Sequence, residues 1–163
     1  LTSFFEKEFP SCLTGKQDLK ELLTKHIDEW GWSGTVDEML GYWFQNEAHL
    51  DEKIVKLVSE LRQKDIMCYV ATNQEKYRTE YLRSKLGFND IFEKVFSSAE
   101  IGYLKTQPEF FKYVLQHMKA KPEEVFFVDD SKDNIINASN IGIASHLYIN
   151  FDDFQSELIS ILK

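Results

Sequence analysis

From Ile54 onward the apolar positions fall into two alternating rhythms. Ile54, Leu57, Val58 and Leu61 recur at helical spacing, which predicts an amphipathic helix over about 51–64. The run "IMCYVA" (66–71) has the length of a strand, and a helix follows over about 75–86, with Gly87 placed to end it. "KVFS" (94–97) reads as a short strand. "PEFFKYVLQHM" (108–118) reads as a helix with Pro108 in its first turn and Phe111, Val114, Leu115 and Met118 on one face. "VFFV" (125–128) is the next strand, about 132–141 a helix, "IASHLYI" (143–149) a strand and "DDFQSELISIL" (152–162) a final helix. Strands that are apolar throughout and alternate with helices predict an α/β fold, a parallel sheet covered by helices on both faces to give three layers. In such sheets ligands bind at the carboxyl ends of the strands.

The first fifty residues follow a different pattern. They hold Trp30, Trp32 and Trp43 and no strong strand, and "TVDE" (35–38) has capping-box spacing ahead of "MLGYWF". This predicts a small helical cap over 1–50, preceding a core over 51–163. The tryptophans suit the interior of that cap better than a substrate box.

The polar residues that end the strands are the candidate chemistry. Thr72 and Asn73 follow "CYVA", Lys105 stands some way past "KVFS", and Asp129 and Asp130 follow "VFFV", with Asn134 four residues beyond the second aspartate. A parallel sheet brings these to one edge. Thr72 and Asn73 can donate hydrogen bonds to phosphate oxygens, and Lys105 can neutralise a phosphoryl group, whose transfer depends mainly on positioning and charge stabilisation. Adjacent carboxylates repel and raise each other's pKa. A hard divalent cation such as Mg²⁺ compensates them. Taken singly, the doublet also reads as a solvated helix start, Thr72 as a helix N-cap and Lys105 as a surface lysine. The four histidines show no metal-ligand spacing.

In order and approximate spacing, "YVATN", "GYLKTQPEFF" and "VFFVDDSKDN" resemble the second, third and fourth motifs of haloacid dehalogenase-like (HAD-like) hydrolases. The resemblance covers about 50–150. It implies a Rossmann-like core, a Mg²⁺ cofactor and phosphomonoester hydrolysis. It assigns Thr72 to the transferred phosphoryl group with Asn73 beside it, and Lys105 to a bridge between that group and the carboxylates. It makes Asp130 the direct metal ligand, Asp129 an outer one and Asn134 a support for the loop. Thr106 stands where the family commonly has proline, a mild departure.

A second departure is severe. The family's first motif is an apolar strand ending in Asp-x-Asp, which supplies the nucleophile and the general acid–base. Residues 1–163 contain no Asp-x-Asp. The missing strand would lie mid-sheet, between "IMCYVA" and "VFFV", and its loss leaves backbone groups unpaired at roughly 1–3 kcal/mol each. The expectation is that it lies upstream of Leu1 and that residues 1–163 alone are inactive. The alternative is a degenerate protein whose gap is closed by direct pairing or by another chain.

Composition narrows the partners. A hydrophobic fraction of 43% supports a real core, and a formal charge of −8 speaks against nucleic acid. No apolar run approaches the ~18 residues of a membrane span. Two cysteines, with Cys68 expected in the interior and Cys12 in a loop, do not make a disulfide framework and suggest a reducing, cytoplasmic setting. The expected function is a Mg²⁺-dependent phosphatase of a small phosphorylated metabolite. The alternatives are a catalytically inactive binding or regulatory protein and, less favoured, a 2-haloacid dehalogenase, which needs no metal.

Overall fold

The computed structural model describes residues 1–162 and divides into two compact units, Leu1–Gly102 and a second from Tyr103 onward. Both are α/β.

The first unit opens with four helices, α1 (Thr2–Lys7), α2 (Phe9–Cys12), α3 (Leu19–His26) and α4 (Val36–Asn46). It continues with α5 (Glu52–Arg62), β1 (Tyr69–Thr72), α6 (Lys76–Ser84), α7 (Phe88–Ile91), β2 (Lys94–Ser97) and α8 (Ser98–Ile101). The capping box at the head of α4 is present: Glu38 N donates to Thr35 Oγ1 at 3.2 Å and Thr35 N to Glu38 Oε2 at 2.7 Å. Phe4, Leu19, Leu22, Leu23, Leu40 and Phe44 form the buried centre of the helical segment. Trp30 and Trp43 pack on it, and so do Tyr77 and Tyr81 of α6. Trp32 is half-buried and donates to the Thr35 carbonyl. The loop from α2 to α3 is pinned at Gly15, whose φ is +67°; a Cβ there would collide with the carbonyl oxygen of Ala99.

The second unit contains α9 (Pro108–Met118), a short turn at Pro122–Glu124, β3 (Phe126–Asp129), α10 (Lys132–Asn140), β4 (Ala144–Leu147) and α11 (Phe151–Ile161). Its core is built from Phe110, Phe111, Val114, Ala138, Ile143, Phe154 and Leu158. Phe110 is fully buried beside Phe111, so the apolar face of α9 is broader than the single stripe predicted.

Both strand pairs are parallel. Thr72 lies opposite Ser97 in the β1–β2 pair, and Asp129 opposite Leu147 in the β3–β4 pair. Among the described residues β1 pairs only with β2 and β3 only with β4, so each strand has one bonded edge. Every residue of β1 and most of β3 are half-buried, where apolar composition alone predicted full burial on both faces.

The boundaries of β1 and β3 moved toward the carboxyl end, while β2 lies where predicted and β4 is shorter at both ends. Ile66 N bonds Leu61 O in the turn leaving α5, so "IMC" is spent on the approach and Thr72 joins the ladder. Likewise Asp129 is the last residue of β3, its carbonyl accepting from Tyr148 N at 2.8 Å. The cysteines exchange the roles expected of them. Cys12 ends α2 and is buried, because the "FPSC" stretch folds into a helix with Pro10 in its first turn; Cys68 is half-buried, and both are free thiols.

Candidate active site

The end of β3 carries a small polar array. Asp129 is buried, and its carboxylate accepts from three groups: Lys105 Nζ on Oδ2 at 2.5 Å, and Ser131 N at 2.8 Å and Asn134 Nδ2 at 3.0 Å, both on Oδ1. Burial pushes this carboxyl up, but the Lys105 ammonium, Asn134 and the Ser131 amide outweigh it and hold the group below the usual carboxylate range. Only 12% of the Lys105 side chain and 5% of the Asp129 side chain are exposed, so the two form a buried ion pair rather than a surface one.

The array is positioned by α10. Asn134 and Asn137 stand three apart, hence on one face of that helix. Asn134 holds the carboxylate, while Asn137 Nδ2 donates to the Lys105 backbone carbonyl at 2.7 Å. Asn137 and Ser131 are site residues that sequence reading missed. The signal for Asn137 was an i,i+3 pair of asparagines directly after the acidic doublet.

Asp130 differs from its neighbour. It is exposed, and no hydrogen bond or ion pair involves its side chain among the described residues. Asn134 Oδ1 is buried without a partner. An orphaned buried carbonyl and an open carboxylate are both hard oxygen donors, the kind Mg²⁺ takes while keeping several waters. Among the described residues no three His, Cys, Asp or Glu side chains converge, so these residues fit a sparsely ligated Mg²⁺ and not a closed protein cage.

Thr72 and Asn73 belong to the first unit. Thr72 ends β1, is half-buried, and its hydroxyl makes no hydrogen bond among the described residues. It does not cap α6. That role falls to Glu75, whose carboxylate accepts from Tyr77 N at 2.7 Å and from Arg78 N. Glu75 is 1% exposed, and desolvation pushes its carboxyl up despite those two amides. The Gln74 carbonyl, between Asn73 and Glu75, accepts from Ser97 Oγ at 3.0 Å and Ala99 N at 3.3 Å, which ties the turn after β1 to the turn after β2. Of the histidines, His26 pairs with Glu8 at 3.0 Å and His146 with Asp153 at 3.0 Å.

The family profile described as haloacid dehalogenase-like hydrolase matches residues 11–147. A drimenol cyclase of Aspergillus calidoustus is 33% identical over 120 residues, 72% of this chain and 23% of that protein. The D-ribitol-5-phosphate phosphatase of Bacteroides thetaiotaomicron is 25% identical over 161 residues, 95% of this chain and 78% of its own length. A HAD family enzyme of Bacteroides thetaiotaomicron, solved as a magnesium complex, superposes with a TM-score of 0.80 at 22% identity, covering 94% of this chain and 80% of that one. The chain therefore spans less than a quarter of the cyclase and most of the phosphatase. No helix among the described residues is long and apolar enough to cross a membrane. By the profile match and the shared fold, the chain belongs to the haloacid dehalogenase-like hydrolases.

Proposed function

We propose that the protein is a Mg²⁺-dependent phosphohydrolase of a small phosphorylated metabolite. The observation that carries this reading is the buried Lys105–Asp129–Asn134 array beside the exposed Asp130. Asp129 pairs with the Lys105 ammonium at the strand end, and Asn137 fixes its backbone. A cation so fixed stabilises charge on a phosphoryl oxygen without reorganising. The Thr72 hydroxyl and the Asn73 amide supply neutral donors to phosphoryl oxygens. Asp130, with Asn134 Oδ1 as a further donor, would hold Mg²⁺, which supplies charge neutralisation and orientation of the phosphoryl group when bound. The similarity to a ribitol phosphate phosphatase supports a phosphomonoester substrate.

The reading needs an aspartate nucleophile that residues 1–163 do not supply, since they contain no Asp-x-Asp. The 163-residue chain alone is therefore expected to be inactive. The test is an assay with p-nitrophenyl phosphate and Mg²⁺ of the full-length protein, meaning residues 1–163 together with whatever residues the gene encodes beside them. Turnover that disappears with EDTA and falls at least a hundredfold in Lys105→Met supports the proposal. No turnover in the full-length protein sinks it in favour of a binding or regulatory role. Chelator-insensitive halide release from a 2-haloacid would favour dehalogenase chemistry, for which the acidic doublet has no use.

A further inference from the structure

A cleft of about 290 Å³ opens at the carboxyl edge of the β1–β2 pair, the edge on which Thr72 lies. Its floor includes Glu75, three residues past Thr72, and Ala99, two residues past the Ser97 that faces Thr72. Its mouth is the exposed loop Gly15–Gln17. The loop is tied at both ends: the left-handed Gly15 sits against the Ala99 carbonyl, and Asp18, at the loop's end, accepts from Tyr77 Oη at 2.7 Å and pairs with Lys76 Nζ at 3.5 Å. The cleft lies wholly within the first unit.

Its chemistry is mixed. Lys16 and Lys76 face three carboxylates, Asp18, Glu75 and Glu100. Several of these are already satisfied: Glu100 is gripped by Arg83 at 2.5 and 2.7 Å, and Asp18 accepts from the start of α3 as well as from Tyr77. Three groups keep capacity. Lys16 makes no side-chain bond among the described residues, and the Gln17 amide nitrogen makes none either, its carbonyl accepting from Ser11 Oγ at 2.8 Å. Glu75 spends one bond per oxygen on capping α6, while a carboxylate offers about four acceptor sites. Two donors and one acceptor in one small cleft match a ligand whose groups both donate and accept.

We propose that this cleft binds the non-phosphorylated part of the substrate and selects a short polyhydroxylated chain through Lys16, Gln17 and Glu75. The proposal deepens the phosphohydrolase reading and rests on it. An anionic group is disfavoured, because it would be set against the Glu75 carboxylate, with Lys16 the lining lysine not already paired to a carboxylate. A prenyl or other apolar chain is disfavoured, because it would strip water from Lys16 and Glu75 without replacing its hydrogen bonds. Hydroxyls satisfy both sides at once. The volume, at the lower end of the roughly 300–1,000 Å³ of small-molecule sites, suits a chain of a few carbons.

Phosphate-free ligands test the cleft independently of turnover, so failure here is distinct from failure of the phosphohydrolase assay. Xylitol, geraniol and inorganic phosphate are titrated separately into the ¹⁵N-labelled 163-residue chain, and the amide resonances of Lys16, Gln17, Asp18 and Lys76 are followed. The expected result is a saturable shift with xylitol, at least fivefold weaker in the Lys16→Ala/Gln17→Ala double variant, whose exposed loop positions keep the fold, and likewise weaker in Glu75→Gln, which retains an acceptor for the helix cap. The spectra themselves report that each variant is folded. Saturation by geraniol or by phosphate at these amides overturns the proposal, and so does a wild-type chain that xylitol leaves unmoved or an equal response in the variants.

Discussion

Two buried carboxylates sit just beyond or at strand ends, one in each unit, and titrate in opposite directions. Asp129 ends β3, and Glu75 follows β1 by three residues. Each loses most of its water, and each accepts backbone or side-chain N–H groups. Only Asp129 also has an ammonium at 2.5 Å. Burial pushes both carboxyls up; Lys105, Asn134 and the Ser131 amide then hold Asp129 low, whereas for Glu75 desolvation outweighs its two amides. Neutral donors at a helix start suffice to keep a buried carboxylate in place. An ammonium in direct contact is what turns the shift downward.

Removing that charge is the largest perturbation this comparison allows. Lys105→Met leaves Asp129 buried without a cation, and breaking a buried pair from one side costs about 3–5 kcal/mol. Urea unfolding of the 163-residue chain measures it, and Asp129→Asn in the same background is expected to restore much of the loss. A loss under about 1 kcal/mol would mean that the pair behaves as a surface pair. On the Glu75 side, Glu75→Ala removes the cap of α6 and is expected to cost about 1–2 kcal/mol. Glu75→Gln keeps an acceptor and removes the desolvated charge, so it is expected to be far milder than Glu75→Ala in the same unfolding experiment.

The pH dependence separates the two groups further. The fold lowers the Asp129 carboxyl from 3.8, so its contribution is fully present above that value and is lost as pH falls through the lower folded value. The fold raises the Glu75 carboxyl from 4.5, so its protonated form is favoured, its contribution is greatest below 4.5, and it is lost as pH rises through the folded value. Melting temperatures of wild type and Glu75→Gln between pH 7 and 4.5 are expected to shift in favour of the wild type on acidification. Against Asp129→Asn, the wild-type advantage is expected to hold steady over that range and collapse below about pH 3.8. A wild-type advantage over Glu75→Gln that grows with rising pH reverses the assignment of Glu75.

Much of this arrangement was legible in the sequence. Alternation of apolar strand-length runs with helical spacing gave the α/β order, and Thr35-x-x-Glu38 gave a helix start to the residue. Thr72, Asn73, Lys105, Asp129, Asp130 and Asn134 were legible as polar residues after apolar strand-length runs, but the counter-charge expected for the doublet was Mg²⁺, whereas in the fold Lys105 itself pairs with Asp129. What stayed hidden depends on contacts distant in sequence. Nothing local marks Glu75, rather than Thr72, as the cap of α6: both precede the helix, and the choice follows from where β1 stops, which is set by pairing with β2. Lys16 and Gln17 read as ordinary loop residues until Gly15 is seen pressed against Ala99, 84 positions on. The interior place of Cys12 depends likewise on the short helix α2 packing into the cap core.

The smallest expected effect concerns the second member of the doublet. Asp130 is exposed and unbonded among the described residues while the adjacent Asp129 is buried and triply held, so the two differ as much as neighbouring residues can. Nothing in the fold depends on Asp130, and Asp130→Asn is expected to change stability by about 0.5 kcal/mol or less. A strand end that invests three hydrogen bonds in one carboxylate and none in the next leaves the second available to a ligand. Mg²⁺ binding to the native state then adds stability by mass action. Thermal melts with and without Mg²⁺ read this directly: the wild-type chain is expected to gain melting temperature with added Mg²⁺ and Asp130→Asn to gain none, while Asp129→Asn, which loosens Lys105, is destabilised whether or not the ion is present. Equal protection of wild type and Asp130→Asn would remove Asp130 from the metal site and leave the doublet as one buried ion pair beside a solvated charge.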